Sequence, residues 1–156
     1  MRLLARVHQM PVRLAVGAFV LNSGLSKLQA LDESAEQTHG MAKTAYPFLG
    51  SQDARTFTRT LGTTEIALGA ALLAPFVPSL VAGAALTAFS AGLTGLYLRL
   101  PGMRQEGGIR PTQQGTALAK DTWLVGAGLT LVLDELIRPR AERRRRSCSR
   151  FRGLRR

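Results

Sequence analysis

PSLVAGAALTAFSAGLTGLYL, residues 78–98, is a run of 21 residues without one charged side chain. An α-helix rises about 1.5 Å per residue, so the run covers about 30 Å, the hydrocarbon thickness of a bilayer. It is apolar all round, whereas a helix at the edge of a soluble core is shorter and striped. This stretch places the chain in a membrane, although a mean hydropathy of +0.05 and 20% charged residues describe an ordinary soluble protein. The averages mislead because the two classes are segregated. Ten of the 21 Lys and Arg residues lie between Arg138 and Arg156, so most of the net charge of +11 belongs to the C-terminal tail.

Working outward from 78–98, three more segments approach the length of a span: 11–31, 61–77 and TALAKDTWLVGAGLTLVLDEL at 116–136. The polar stretch SQDARTFTRT, 51–60, reads as the start of the second helix. Pro75 and Pro78 allow only a tight reversal between the second and third segments. The Gly/Pro-rich stretch 99–111 and the polar stretch 32–51 read as loops, with TAYPFLG at 44–50 semi-apolar enough for the lipid interface. The expected fold is an all-α, integral membrane four-helix bundle over residues 1–137, followed by a disordered basic tail over 138–156. A cleaved signal peptide competes for the first segment, but the polar NSGLSK would be an unusual end to its apolar region.

Lys and Arg in the flanks set orientation. Arg2, Arg6 and Arg13 mark the N-terminal flank and ten arginines follow the last segment, so both termini are expected on the cytoplasmic side. The tail should lie on anionic lipid headgroups, each basic residue contributing about 1 kcal/mol. Nucleic-acid binding is disfavoured, since the tail is tethered at the bilayer and has one aromatic residue, Phe151, for stacking. The single Cys148 cannot pair within the chain, and His8 and His39 read as solvated side chains. No metal site and no catalytic constellation are expected.

Four charges fall inside or at the edge of the spans: Lys27, Glu65, Lys120 and Asp121. Lys27 and Glu65 each sit four residues from the outer end of their segment, about 6 Å deep. Lys120 and Asp121 occupy the first turns of the fourth segment, so all four are expected at one level. An ionisable residue within a bilayer costs about 2.5–3.5 kcal/mol on insertion scales, so such groups face the bundle interior and pair. Glu65 is expected to pair with Lys27, and Asp121 with the remaining lysine. Asn22, Ser23 and Ser26 add polar groups, with the 22/26 and 23/27 steps on a common side of the first helix. The cluster of Asn22, Ser23, Lys27, Glu65, Lys120 and Asp121 is a ligand pocket or a structural pin. Gly17, Gly24, Gly69, Ala84, Ala88, Gly92 and Gly126 suit close helix packing.

RLAVGAFVLNSGLSKL (13–28), EIALGAALL (65–73) and AKDTWLVGAGLTLVL (119–133) together resemble the DoxX-like family of small four-helix membrane proteins. The resemblance covers roughly 11–136. It implies a multi-pass protein of a bacterial inner membrane, associated with quinone-linked or thiol-linked redox complexes. It also implies a protein partner in such a complex and a quinone as the one cofactor to consider. A thiosulfate:quinone oxidoreductase-type subunit and a small-molecule transporter are the alternatives. A turnover role of its own is disfavoured, because the chain has no cysteine pair, haem motif or nucleotide fingerprint. Transport is disfavoured for want of an inverted repeat or a broken helix pair.

Overall fold

The computed structural model describes residues 5–105 and 107–153, with side-chain surroundings up to residue 137. The described residues form six α-helices: α1 (Met10–Gln29), α2 (Leu31–Ala45), α3 (Ala54–Leu73), α4 (Ser79–Arg99), α5 (Thr116–Ala119) and α6 (Thr122–Gly153). Short 3-10 turns precede α1 and follow α2. The four long helices form an all-α bundle, and the protein is a multi-pass membrane protein. By length and apolarity, α4 and the stretch Thr116–Ile137 can each cross a bilayer unaided. The helical backbone of α6 passes Pro139 and reaches Gly153, running into the segment 138–156 that was expected to be a disordered tail. The tail side chains, Cys148 and Phe151 included, lie outside the described side chains.

The bundle is built as two helix pairs. Helix α1 packs chiefly on α3, and α4 chiefly on α6. Glycine decides both seams. A Cβ on Gly69 would stand 2.6 Å from the Leu21 amide nitrogen and 2.8 Å from the Gly17 carbonyl oxygen, and one on Gly24 would stand 2.6 Å from the Gly62 carbonyl oxygen. Real Cβ atoms do not approach backbone so closely, so the α1/α3 backbones touch only because these positions lack one. Gly83 and Gly128 meet in the same way between α4 and α6. Gly92 and Gly126, expected at helix contacts, have open space where a Cβ would go. Ala84 and Ala88 are exposed rather than packed between helices.

Between the pairs, Val20, Leu68, Leu72, Ala82, Leu86, Leu124 and Leu131 form one apolar core. One end of this core is closed by Arg13, which is fully buried at 0% exposure. Its guanidinium donates to the carbonyl oxygens of Ala71 (2.9 Å), Leu72 (2.8 Å), Ala74 (2.8 Å) and Val77 (3.1 Å), and to Ser79 Oγ (2.9 Å). The last carbonyls of a helix have no intrahelical partner and carry its partial negative charge, so a buried cation there satisfies both needs. Ser79 Oγ donates to Gln9 Oε1 (2.6 Å), and Gln9 Nε2 donates to Asp134 Oδ2 of α6 (2.6 Å). Asp134 also meets His8 Nε2 at 2.9 Å and Arg6 at 3.4 Å. Arg13, counted with the N-terminal flank in the sequence, thus locks the α3–α4 turn, and the network runs on to α6.

The stretch 32–51 is not a loop. Helix α2 leaves α1 at Ala30 with a bend of 112°. Its buried positions, Ala35, His39, Ala42 and Ala45, follow helical spacing, and Asp32 and Glu33 in the first turn and Lys43 in the last suit the helix dipole. Three alanines and a histidine make a stripe too weakly apolar to be noticed in the sequence. His39 is therefore buried and not solvated, with Nε2 3.0 Å from the Leu49 carbonyl oxygen and its ring tilted on Phe57. Tyr46, after α2, donates to the Gly92 carbonyl oxygen of α4 (2.9 Å) and lies under the Arg99 guanidinium. These contacts tie the α2 segment across the end of the bundle opposite Arg13.

Helix α3 begins at Ala54, taking in most of the polar stretch 51–60, because Asp53 caps it. The Thr56 amide and hydroxyl both donate to the Asp53 carboxylate and hold its pKa below the ordinary value.

Candidate functional site

Away from Arg13 the two helix pairs part, and a partly open cavity of about 440 Å³ lies between them under α2. Its walls are mostly apolar, with Phe19 and Val20 from α1, Phe57 and Leu61 from α3, and Phe89 and Leu93 from α4. Thr38, Met41, Ala42, Tyr46 and Leu49, from α2 and the turn after it, roof the cavity. Polar groups collect at one place: Ser23, Lys27, Glu65 and Asp121.

Lys27 Nζ lies 3.0 Å from Glu65 Oε1 and 2.9 Å from Oε2, and donates to Ser23 Oγ at 2.8 Å. The glycine seam sets this geometry. Gly24 is the α1 position opposite Glu65, where an added Cβ would stand 2.9 Å from the Glu65 Cβ. Lys27 is almost a turn farther along α1. Side chains on a helix lean toward its N-terminus, so the lysine runs back past Ser23 to the carboxylate. Because α3 starts at Ala54, Glu65 is its twelfth residue and not near its end, as the segment 61–77 had placed it. The Glu65 side chain is only 4% exposed and that of Lys27 is 26% exposed.

Asp121 lines the same cavity and is close enough to interact electrostatically with both Lys27 and Glu65. It stands at the break between α5 and α6, where its carbonyl accepts from the Leu124 amide. Lys120 is exposed, does not line the cavity and forms no ion pair among the described residues, so the expected Asp121–Lys120 pair is absent. Asn22 and Ser26 are also exposed. They line a shallow groove between α1 and α2 that also reaches Ser23 and Lys27, and the Ser26 hydroxyl donates back to the Asn22 carbonyl oxygen (2.9 Å). Ser23, Lys27, Glu65 and Asp121 therefore come together in the cavity, while Asn22 and Lys120 lie outside it.

Sequence reasoning missed Thr38, Met41 and Tyr46, because it read their segment as a loop. Among the described residues no group of His, Cys, Asp and Glu is arranged to hold a metal ion. The arrangement can bind an amphiphile, with an apolar body against the aromatic walls and a polar head at the ion pair.

A family model matches residues 1–133, which takes in the segment that competed as a signal peptide. No curated protein and no solved structure matches the chain. The resemblance to the DoxX-like family is corrected by the family match, which is to a different membrane family. The residues behind that resemblance include the glycine seam and the buried pair, which serve close helix packing and charge neutralisation and do not by themselves mark one family. The match covers well over half of the chain, which therefore belongs to the family of the methylamine utilisation protein MauE.

Proposed function

We propose that this protein is a multi-pass membrane accessory component of a redox system, with no turnover of its own, and that its cavity holds a lipid-soluble quinone for a partner. The observation that carries this reading is the cavity itself. It is aromatic and aliphatic over most of its wall, polar at one spot, and at about 440 Å³ far larger than a packing void, within the range of ligand pockets. A quinone has the matching form, a flat ring with oxygen substituents and an apolar chain. The family's association with methylamine utilisation makes an amine-oxidising system the first place to look for the partner.

The reading includes four membrane crossings, with α1 and α3 crossing beside the two more apolar helices, in a bacterial inner membrane with both termini cytoplasmic. The cavity then opens toward the outer leaflet, and the tail rests on cytoplasmic anionic lipid. Reporter fusions after Gly50, Gly107 and Arg156 test the topology, and an external signal from the last would overturn it. Purification in mild detergent, with mass spectrometry of co-eluting proteins and lipids, tests the function. A co-purifying quinone and a redox protein are expected. Recovery of phospholipid alone with no partner would leave the ion pair as a structural pin.

One observation favours transport as a second reading: α1 and α2 together meet the composition of a single span broken by 112°. Broken helices line the sites of many transporters. Solute flux into proteoliposomes that is abolished by Lys27→Met would support it, and silent proteoliposomes would remove it.

A further inference from the structure

The hydrogen-bonding capacity of the cavity is unevenly committed. An ammonium has three donors. Lys27 directs its donors at three acceptors, Ser23 Oγ, Glu65 Oε1 and Glu65 Oε2. The Tyr46 hydroxyl proton goes to the Gly92 carbonyl oxygen. Every charged or phenolic donor on the cavity wall is therefore in use. The Ser23 and Thr38 hydroxyls can serve as donor or acceptor. The Asp121 carboxyl has no hydrogen-bond partner among the described residues. An aspartate directly before a helix commonly turns its carboxylate onto the first amides of that helix, but Asp121 caps none of them. The cavity wall carries two carboxyl groups, Glu65 and Asp121, and one ammonium.

We infer that the cavity selects the reduced, dihydroxy form of its ring ligand over the dicarbonyl form, with Asp121 accepting a hydroxyl proton and so determining specificity. The inference rests on the quinone reading above and adds which redox form is held. A dicarbonyl head only accepts, and would find no charged donor free without breaking the Lys27–Glu65 pair. A dihydroxy head donates, and a hydroxyl-to-carboxylate hydrogen bond is among the stronger neutral-to-ionic contacts. No electron transfer is assigned to this chain.

The test uses the full-length protein in nanodiscs. Binding is measured for a decyl-substituted benzoquinone and, under anaerobic conditions, for the matching hydroquinone. The expected result is tighter binding of the hydroquinone by about tenfold or more. Asp121→Asn should reduce the preference to within about twofold, because its amide accepts more weakly from the hydroquinone and can donate to the dicarbonyl. Lys120→Gln, on the exposed neighbour, should leave the preference intact. The wild-type ratio stands as a test even if Asp121→Asn fails to fold. Equal affinities, or a preference for the dicarbonyl (the result a carboxyl acting as donor would give), overturn the inference while leaving the quinone reading in place. Binding of neither form overturns both.

Discussion

The two members of the buried ion pair should not be equally costly to remove. Lys27→Met leaves the Glu65 carboxylate with its side chain 4% exposed, facing Gly24 across the helix seam and with no other cation on the cavity wall. Breaking a buried pair in this way costs about 3–5 kcal/mol. Glu65→Gln leaves the Lys27 ammonium, whose side chain is 26% exposed and which keeps the Ser23 hydroxyl 2.8 Å away. A long stem lets that ammonium move toward the headgroups, and the new amide oxygen remains an acceptor, so about 1–2 kcal/mol is expected. The double variant removes both charges and should lie within about 1 kcal/mol of the wild type. Reversible unfolding in mixed micelles, followed by circular dichroism as the denaturing detergent fraction rises, measures all four proteins. A Glu65→Gln loss equal to or larger than the Lys27→Met loss would refute the burial argument. Additive losses in the double variant would refute the pairing.

Arg13→Met should cost about 3–5 kcal/mol in the same assay, because it strands the α3 terminal carbonyls, and Arg13→Lys should recover less than half, since three donors cannot reach five acceptors. Wild-type stability in the Arg13→Met variant would mean that water serves those carbonyls as well. Gly69→Ala should cost about 1–3 kcal/mol by forcing α1 and α3 apart, whereas Gly126→Ala, with open space around it, should gain up to about 1 kcal/mol from helix propensity; equal melting temperatures for the two variants would show that the seam is not tight. The Asp53 carboxylate, stabilised by Thr56, has a folded pKa below its unfolded value, so its contribution is present above about pH 3.9 and is lost as pH falls through the folded pKa. A small melting-temperature gap between wild type and Asp53→Ala at pH 6 should therefore narrow as acid protonates the carboxylate, and a gap unchanged at the most acid pH the fold survives would show that the capping is not ionic.

Length and apolarity were enough to read the helix at 78–98, since no other structure satisfies so long an uncharged backbone in lipid. The Lys27–Glu65 contact was legible because a lone charge in such a helix must find its opposite, and few opposites were available. Asp121 was assigned to Lys120 by elimination, as the lysine that Glu65 left over at the same depth. Adjacent helical residues point about 100° apart, and only one of the two can face a given cavity. Arg13 was unreadable as a buried residue because its partners are backbone carbonyls, which every residue has and no sequence marks. Helix α2 was hidden for a similar reason: its buried face uses alanine, which signals burial only weakly.

The pairing of α1 with α3, and not with its chain neighbour, has a consequence for biogenesis. Lys27 leaves the ribosome 38 residues before Glu65. At about 5–20 residues per second this interval is about 2–8 s. During that time the first hydrophobic helix carries an unneutralised ammonium and an unfilled glycine groove at Gly17 and Gly24. It must wait in the insertion machinery, or with its lysine drawn up into the headgroups, until α3 arrives. The second pair repeats the delay, because α4 is complete long before Gly128 and Leu131 of α6 exist to cover Gly83. Insertion of this protein is therefore expected to proceed in two closures, each completed only when the later helix of its pair emerges.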